Sequence, residues 1–172
     1  MATSIELPPG ALVLLIGPSG AGKSTFASRH FYARQILSSD AYREIVSGDP
    51  ADQSATAQAF RRLHRECHAR LAQGELTVID ATNVLFSARQ RFLTMAAPLD
   101  RAVVAIAFDL PLERCLAWNA ARPGRSVPTS IVRRHWVFMQ RALQHLPEEG
   151  FASIVVLRSA DEVAGCVVRV AP

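Results

Sequence analysis

The chain has 172 residues, 49% hydrophobic and 20% charged. That balance predicts one globular domain able to bury a sizeable core, and excludes a disordered chain. Its 19 basic and 15 acidic residues leave a formal charge of +4, with arginine far outnumbering lysine. So mild a surplus permits a polyanionic partner without requiring one.

The first apolar run, residues 11–16, predicts a buried strand. At once there follows Gly17-Pro18-Ser19-Gly20-Ala21-Gly22-Lys23-Ser24-Thr25, which fits G-x-x-x-x-G-K-[ST]. A helix is predicted over roughly 23–32, where Phe26 and His30 stand four residues apart. Strand, glycine-rich turn and helix N-terminus together make a phosphate cradle, because successive N–H groups and the helix dipole point at an anion. In that pattern Lys23 reaches the β- and γ-phosphates and the Ser24 hydroxyl ligates Mg²⁺. The run therefore predicts a nucleoside triphosphate site with ATP or another NTP as the ligand.

Further strands are predicted at 35–38, 76–80, 102–108 and 153–157, and helices at roughly 54–73, 87–97, 111–121 and 129–145. The LTVID and AVVAIAF runs are apolar throughout, as in strands covered on both faces. Alternation of this kind predicts an α/β fold, a five-stranded parallel sheet flanked by helices with right-handed crossovers. The C-terminal VVRVAP, with no turn signal after it, reads as a tail or the start of a linker.

Ligands collect at the carboxyl ends of strands in such sheets. After the second strand, Asp40 starts a short helix with Arg43 one turn on. A carboxylate there can accept the proton of an attacking hydroxyl, and the arginine can hold a phosphate on the acceptor. The plain alternative is a helix N-cap and a solvated arginine. Asp80, ending LTVID, takes a Walker-B-like position for Mg²⁺; the alternative is an Asx turn. The loop 122–128 carries Arg122 and Arg125 beside a Pro-Gly pair, a candidate lid over a transferring phosphoryl group or a solvated turn.

His64 and His68 around Cys67 imitate a metal set, yet Phe60, Leu63, Cys67 and Leu71 form that helix's apolar stripe. Trp136 and Phe138 read as core. No N-K-x-D motif for guanine is present. No apolar stretch nears the ~20 residues of a membrane span. The first ten residues lack a basic region followed by an apolar core. Cys67, Cys115 and Cys166 are odd in number without C-x-x-C, which fits reduced thiols and a cytoplasmic address.

Taken in order, GPSGAGKSTFA, SSDAYR, DQSATAQAF, RLAQGELTVIDATNV, SARQ and the arginine loop resemble the 5′-OH polynucleotide kinase module of bacterial polynucleotide kinase-phosphatase. The resemblance spans nearly the whole chain. It implies an adenylate-kinase-like P-loop phosphotransferase, one domain over 1–172 with a short arginine-bearing lid, of the kind found within a larger end-healing enzyme. It further implies transfer of the ATP γ-phosphoryl to the 5′-OH of an RNA or DNA end. Phosphatase or ligase partners, fused or associated, go with it. By this resemblance Lys23 and Ser24 hold phosphates and Mg²⁺. Asp40 is the general base, Arg43 grips the phosphate next to the terminal nucleoside, Gln53 helps at the nucleotide, and Arg122, with Arg125 second, touches the ATP phosphates. Trp118 stands where the family has arginine. Either Arg114 or Arg125 compensates, or the lid chemistry is weaker. Few unassigned loops remain, so contacts to the acceptor are expected at only a few terminal nucleotides. A small-molecule or toxin-type kinase of the same fold is the nearest rival, and a non-catalytic ATP-binding module the next.

Overall fold

The computed structural model describes residues 3–172. Its main sheet has five parallel strands in the order β3-β4-β2-β5-β6: β2 is Leu12–Ile16, β3 Ile36–Ser38, β4 Thr77–Asp80, β5 Val103–Phe108 and β6 Ser153–Leu157. Every residue of β2, β4 and β5 is buried. Such strands need apolar side chains on both faces, and LVLLI and VVAIAF supply them.

The two-residue period of a strand divides this set between two cores. Val13, Leu15, Val104 and Ile106 face Phe26 of α1 (Lys23–His30) and Cys115 of α5 (Leu112–Ala121). Leu12, Leu14, Ala105 and Ala107 face Leu63 and Cys67 of α3 (Thr56–Ala72), Phe92 of α4 (Phe86–Ala96) and Met139 of α6 (Thr129–His145). Burying one large aliphatic side chain of this kind contributes about 1.5–3 kcal/mol. The predicted strands and long helices all form, with ends shifted by one or two residues.

Three elements lie outside the sequence expectations. β1 (Ser4–Leu7) pairs in parallel with β7 (Val167–Val170), making a separate two-stranded sheet. The VVRVAP segment is thus a strand and its hydrogen-bonded end, not a tail: Ala171 N donates to Leu7 O at 2.9 Å. Ile5 and Leu7 of β1 pack into the first core. A six-residue helix, α7 (Ala160–Gly165), leads into β7, its N-cap Ser159 accepting from Glu162 N. The expected short helix at Asp40 is α2 (Ser39–Ser47). Among the described residues no helix is long and apolar enough to cross a membrane.

Candidate active site

The glycine-rich turn leaves the carboxyl end of β2 and closes where α1 begins. Gly20 has φ +81°, and a Cβ there would lie 2.2 Å from Cys115 O. Gly22 has φ +85°, and its Cβ would meet Trp118 Cζ3 at 3.1 Å. Backbone hand disfavours larger residues at both positions, and at Gly20 the Cys115 carbonyl leaves no space for one. Gly22 also caps α1 with no side-chain hydrogen bond, so the first N–H groups of the helix stay available to an anion.

Lys23 is the chain's sole lysine. Its ammonium lies inside the turn, where Nζ donates to Gly17 O at 2.9 Å and Pro18 O at 2.7 Å. Burial lowers its pKa to about 8, against the opposing pull of Asp80 and Cys115. Asp80 is 7% exposed. Burial raises its pKa, while Lys23 and the Ser24 hydroxyl draw it back. A buried carboxylate beside an exposed hydroxyl is a hard-oxygen donor set, and Mg²⁺ with several of its own waters needs no more than one or two such ligands. The residues fit the ion. Among the described residues no three His, Cys, Asp or Glu side chains cluster as a metal cage.

Two cavities meet at this point. One, of about 580 Å³, runs from Gly22, Lys23, Ser24 and Thr25 to Trp118, Pro123 and Val163. The other, of about 480 Å³, runs from Lys23, Ser24 and Asp80 to Asp40, Arg43 and His135. Lys23, Ser24 and Arg122 are the residues they share. They meet across the glycine-rich turn, a donor cavity on the Trp118 side and an acceptor cavity on the Asp40 side by the roles expected of those residues from the sequence.

Ser38, not Asp40, caps α2: its hydroxyl accepts from Ala41 N at 3.4 Å. The Asp40 carboxylate is therefore free of capping and turns into the acceptor cavity. It pairs with the Arg43 guanidinium through Oδ1 and lies 3.6 Å from Arg122 Nη2 through Oδ2. Arg43 is also fixed by Nε donating to Pro50 O at 3.0 Å, and its side chain is only 11% exposed. A solvated arginine it is not. Arg125 Nη2 stands 3.9 Å from Glu44, a weak exposed pair.

The arginine loop is tied at its neck. Asn119, 2% exposed, donates from Nδ2 to Val127 O at 2.8 Å and accepts from Val127 N at 3.1 Å. Trp118, next to it, lies over Gly22, and the Arg114 guanidinium sits 5.6 Å from the Trp118 ring centre. Arg114 thus pairs with the indole and lines neither cavity, whereas Arg125 lines the acceptor cavity.

Gln53 lines the cavity that also holds Lys23 and Ser24. It lies on the acceptor wall with Asp40 and Arg43 and not on the donor side, because the Gln53–Ala55 turn follows α2 round that cavity. Two residues of this wall were missed, Arg134 and His135. Ser19 Oγ and His135 Nδ1 are 3.2 Å apart, joining the glycine-rich turn to α6. Burial, then Lys23 and Arg134, push the His135 pKa down to about 4, so the ring is neutral near pH 7. Arg134 lines the same cavity. Their signal was the start of a long helix straight after the arginine loop, but only its rotation about its axis decides which residues face the turn.

The remaining sequence features fall elsewhere. Cys67 is wholly buried, and His64 packs with ring centres 5.8 Å from Phe60 and 4.9 Å from Phe92. Trp136 Nε1 donates to Leu110 O at 3.0 Å, and Phe138 packs partly against the second core. All three cysteines are free and buried.

The family model described as "AAA domain" matches residues 12–146. The chain belongs to the AAA domain family. No curated protein matches it in sequence. Among solved structures it resembles a chain of the Pnkp1/Rnl/Hen1 RNA repair complex, at 23% identity and TM-score 0.67, over 81% of this chain and 46% of that one. It also resembles shikimate kinase from Acinetobacter baumannii in complex with shikimate (17% identity, TM-score 0.55, 90% and 87% covered). Kti12 from Chaetomium thermophilum, in complex with ADP-AlF3, matches at 14% identity and TM-score 0.60, with 90% and 92% covered. These likenesses establish a P-loop kinase-like α/β fold. The AAA domain chain spans about half the length of the repair-complex chain.

Proposed function

We propose that this protein is an ATP-dependent kinase acting on the 5′-OH end of RNA or DNA. The observation that carries the reading is the junction of two cavities at Lys23, Ser24 and Arg122, with Asp40 and Arg43 paired on the acceptor side. ATP enters past Trp118 and lays its phosphates on the α1 N-terminus and the Lys23 ammonium. Ser24 and Asp80 would hold Mg²⁺, which when bound neutralises phosphate charge. Arg122, at the junction, offsets the charge that develops on the transferring group. The acceptor hydroxyl sits beside Asp40, whose carboxylate takes its proton as the bond to phosphorus forms. Arg43 has guanidinium N–H groups to spare beyond those on Asp40 and Pro50, and these suit a phosphate one nucleotide in from the end. A neutral small acceptor would give that arginine nothing to hold. A cytoplasmic setting suits both the ATP and the free thiols.

A second reading has its own support. The acceptor cavity is of a size for a small polyhydroxyl molecule, and the shikimate kinase shares the fold. One experiment separates the two. With γ-labelled ATP and Mg²⁺, label should pass to 5′-OH oligonucleotides and not to their 5′-phosphorylated counterparts. ATP binding without labelling of any end would overturn the reading and favour a small acceptor. Comparison of RNA with DNA then ranks the substrates.

A further inference from the structure

A third cavity, of about 700 Å³, lies outside the site just described. One wall is the first turn of α4 and the loop before it, with Leu85 and Phe86 exposed at 49% and 59%. The other wall is α6. Both walls are continuous with those of the acceptor cavity. The loop gives Ala81 and Thr82 to the acceptor cavity and Val84, Leu85 and Phe86 to this one. On α6, Arg134 and His135 line the first, and Phe138, Arg141 and His145 line the second. Those five residues recur at helical spacing and share one face of α6.

The charge on the two helices and the loop of this path has one sign. Neither α6, nor α4, nor the loop 81–85 contains an aspartate or glutamate. Glu149, at the cavity's edge, is paired with Arg89 through contacts of 2.7 and 2.5 Å, both side chains nearly inaccessible. The first unpaired carboxylate is that of Glu148, at the far end. One exposed aromatic, Phe86, with the half-buried Phe138 and the exposed Arg141, offers a face on which a base stacks and a cation for its phosphate.

Resting on the kinase reading above, we infer that this groove is the track for the acceptor strand. The strand's end lies at Asp40, and its following nucleotides pass along α6 between Phe86 and Arg141. From Arg134 to His145 the helix advances about 16 Å. A stacked strand advances about 3.4 Å per nucleotide, so the track holds about five nucleotides and ends where Glu148 repels the next phosphate.

The test measures binding of 3′-labelled, 5′-OH dinucleotide, hexanucleotide and dodecanucleotide by fluorescence anisotropy, beside KM for their phosphorylation. The hexanucleotide should bind at least about tenfold tighter than the dinucleotide, and the dodecanucleotide no tighter than the hexanucleotide. Arg141→Glu should bring the hexanucleotide to the dinucleotide's affinity. Arg141→Ala should flatten the salt dependence by about 0.7 in log–log slope, the worth of one phosphate contact on a single strand. Phe86→Ala should cost the hexanucleotide about tenfold, with an unchanged melting temperature because the ring is exposed. Equal affinities for the short and long strands, or a hexanucleotide indifferent to Arg141→Glu, would overturn the track and leave the face to a protein partner or a second copy. Length-dependent binding with no labelled ends would keep the track and sink the kinase reading. Phosphorylation with one KM for all lengths would do the reverse.

Discussion

Acidification should destabilise this protein through two histidines. His64 lies between Phe60 and Phe92 with its Nδ1 buried and unpartnered, and His135 is held against the glycine-rich turn by Ser19. Burial first, then nearby arginines and, for His135, Lys23, bring each ring's pKa from 6.5 to about 4. A base whose folded pKa is depressed charges first in the unfolded chain. Between about pH 6.5 and 4 the unfolded state thus binds more protons, and stability falls as pH falls through that window. At about pH 5 each ring has lost at most about 2 kcal/mol relative to neutrality, at 1.36 kcal/mol per pH unit, and less to the extent that solvent screens it. Two rings together would remove up to about 4 kcal/mol, against the 5–15 kcal/mol a domain commonly has. Urea unfolding at about pH 7 and pH 5 reads this directly. His64→Leu, apolar and close to the space between the two phenylalanines, should flatten the pH dependence by up to about 2 kcal/mol, and His135→Gln by a similar amount. A His64→Leu variant that loses stability with acid as steeply as the parent would refute the argument, since the native ring would then be charging in place.

Three more expectations concern the site and its scaffold. Asp40→Asn should leave ATP affinity near wild type and lower the transfer rate by roughly 10²–10⁴-fold; single-turnover labelling that matches the parent would remove Asp40 from the chemistry. Because Lys23 is the sole lysine, acetic anhydride should modify one internal amine. Its reaction should quicken through about pH 8 and be blocked by ATP, as peptide mass spectrometry would show; Lys23→Ala should abolish transfer. Glu149→Gln strands the Arg89 charge and should destabilise by about 3–5 kcal/mol, whereas replacing both partners with apolar residues should cost far less; equal losses in urea would contradict that account.

Local patterns carried most of what the sequence revealed. The glycine-rich turn is a nine-residue statement about backbone hand and anion binding, and it needs no distant partner to be read. The fully apolar strands are likewise legible, because burial on both faces leaves no room for polar alternation. Asp40 and Arg43 were legible as a pair one helical turn apart. What stayed hidden depends on contacts far apart in the chain. β1 and β7 pair the two ends of the described chain, which no local window contains. Gln53 fell on the acceptor wall because a short turn bends the chain round α2, and His135 reached Ser19 because of how α6 is rotated. The third cavity was hidden for the same reason: its walls come from residues 84–90 and 138–149, joined only by packing.

The amide of Asn119 grips Val127 from both sides, and that makes the arginine loop a closed ring rather than a flap. A ring fixed at its neck tilts as one body. A tilt that draws Arg122 off Asp40 should therefore also carry Arg125 away from Glu44. Loop closure should follow a single relaxation rate, and Asn119→Ala should split it into two.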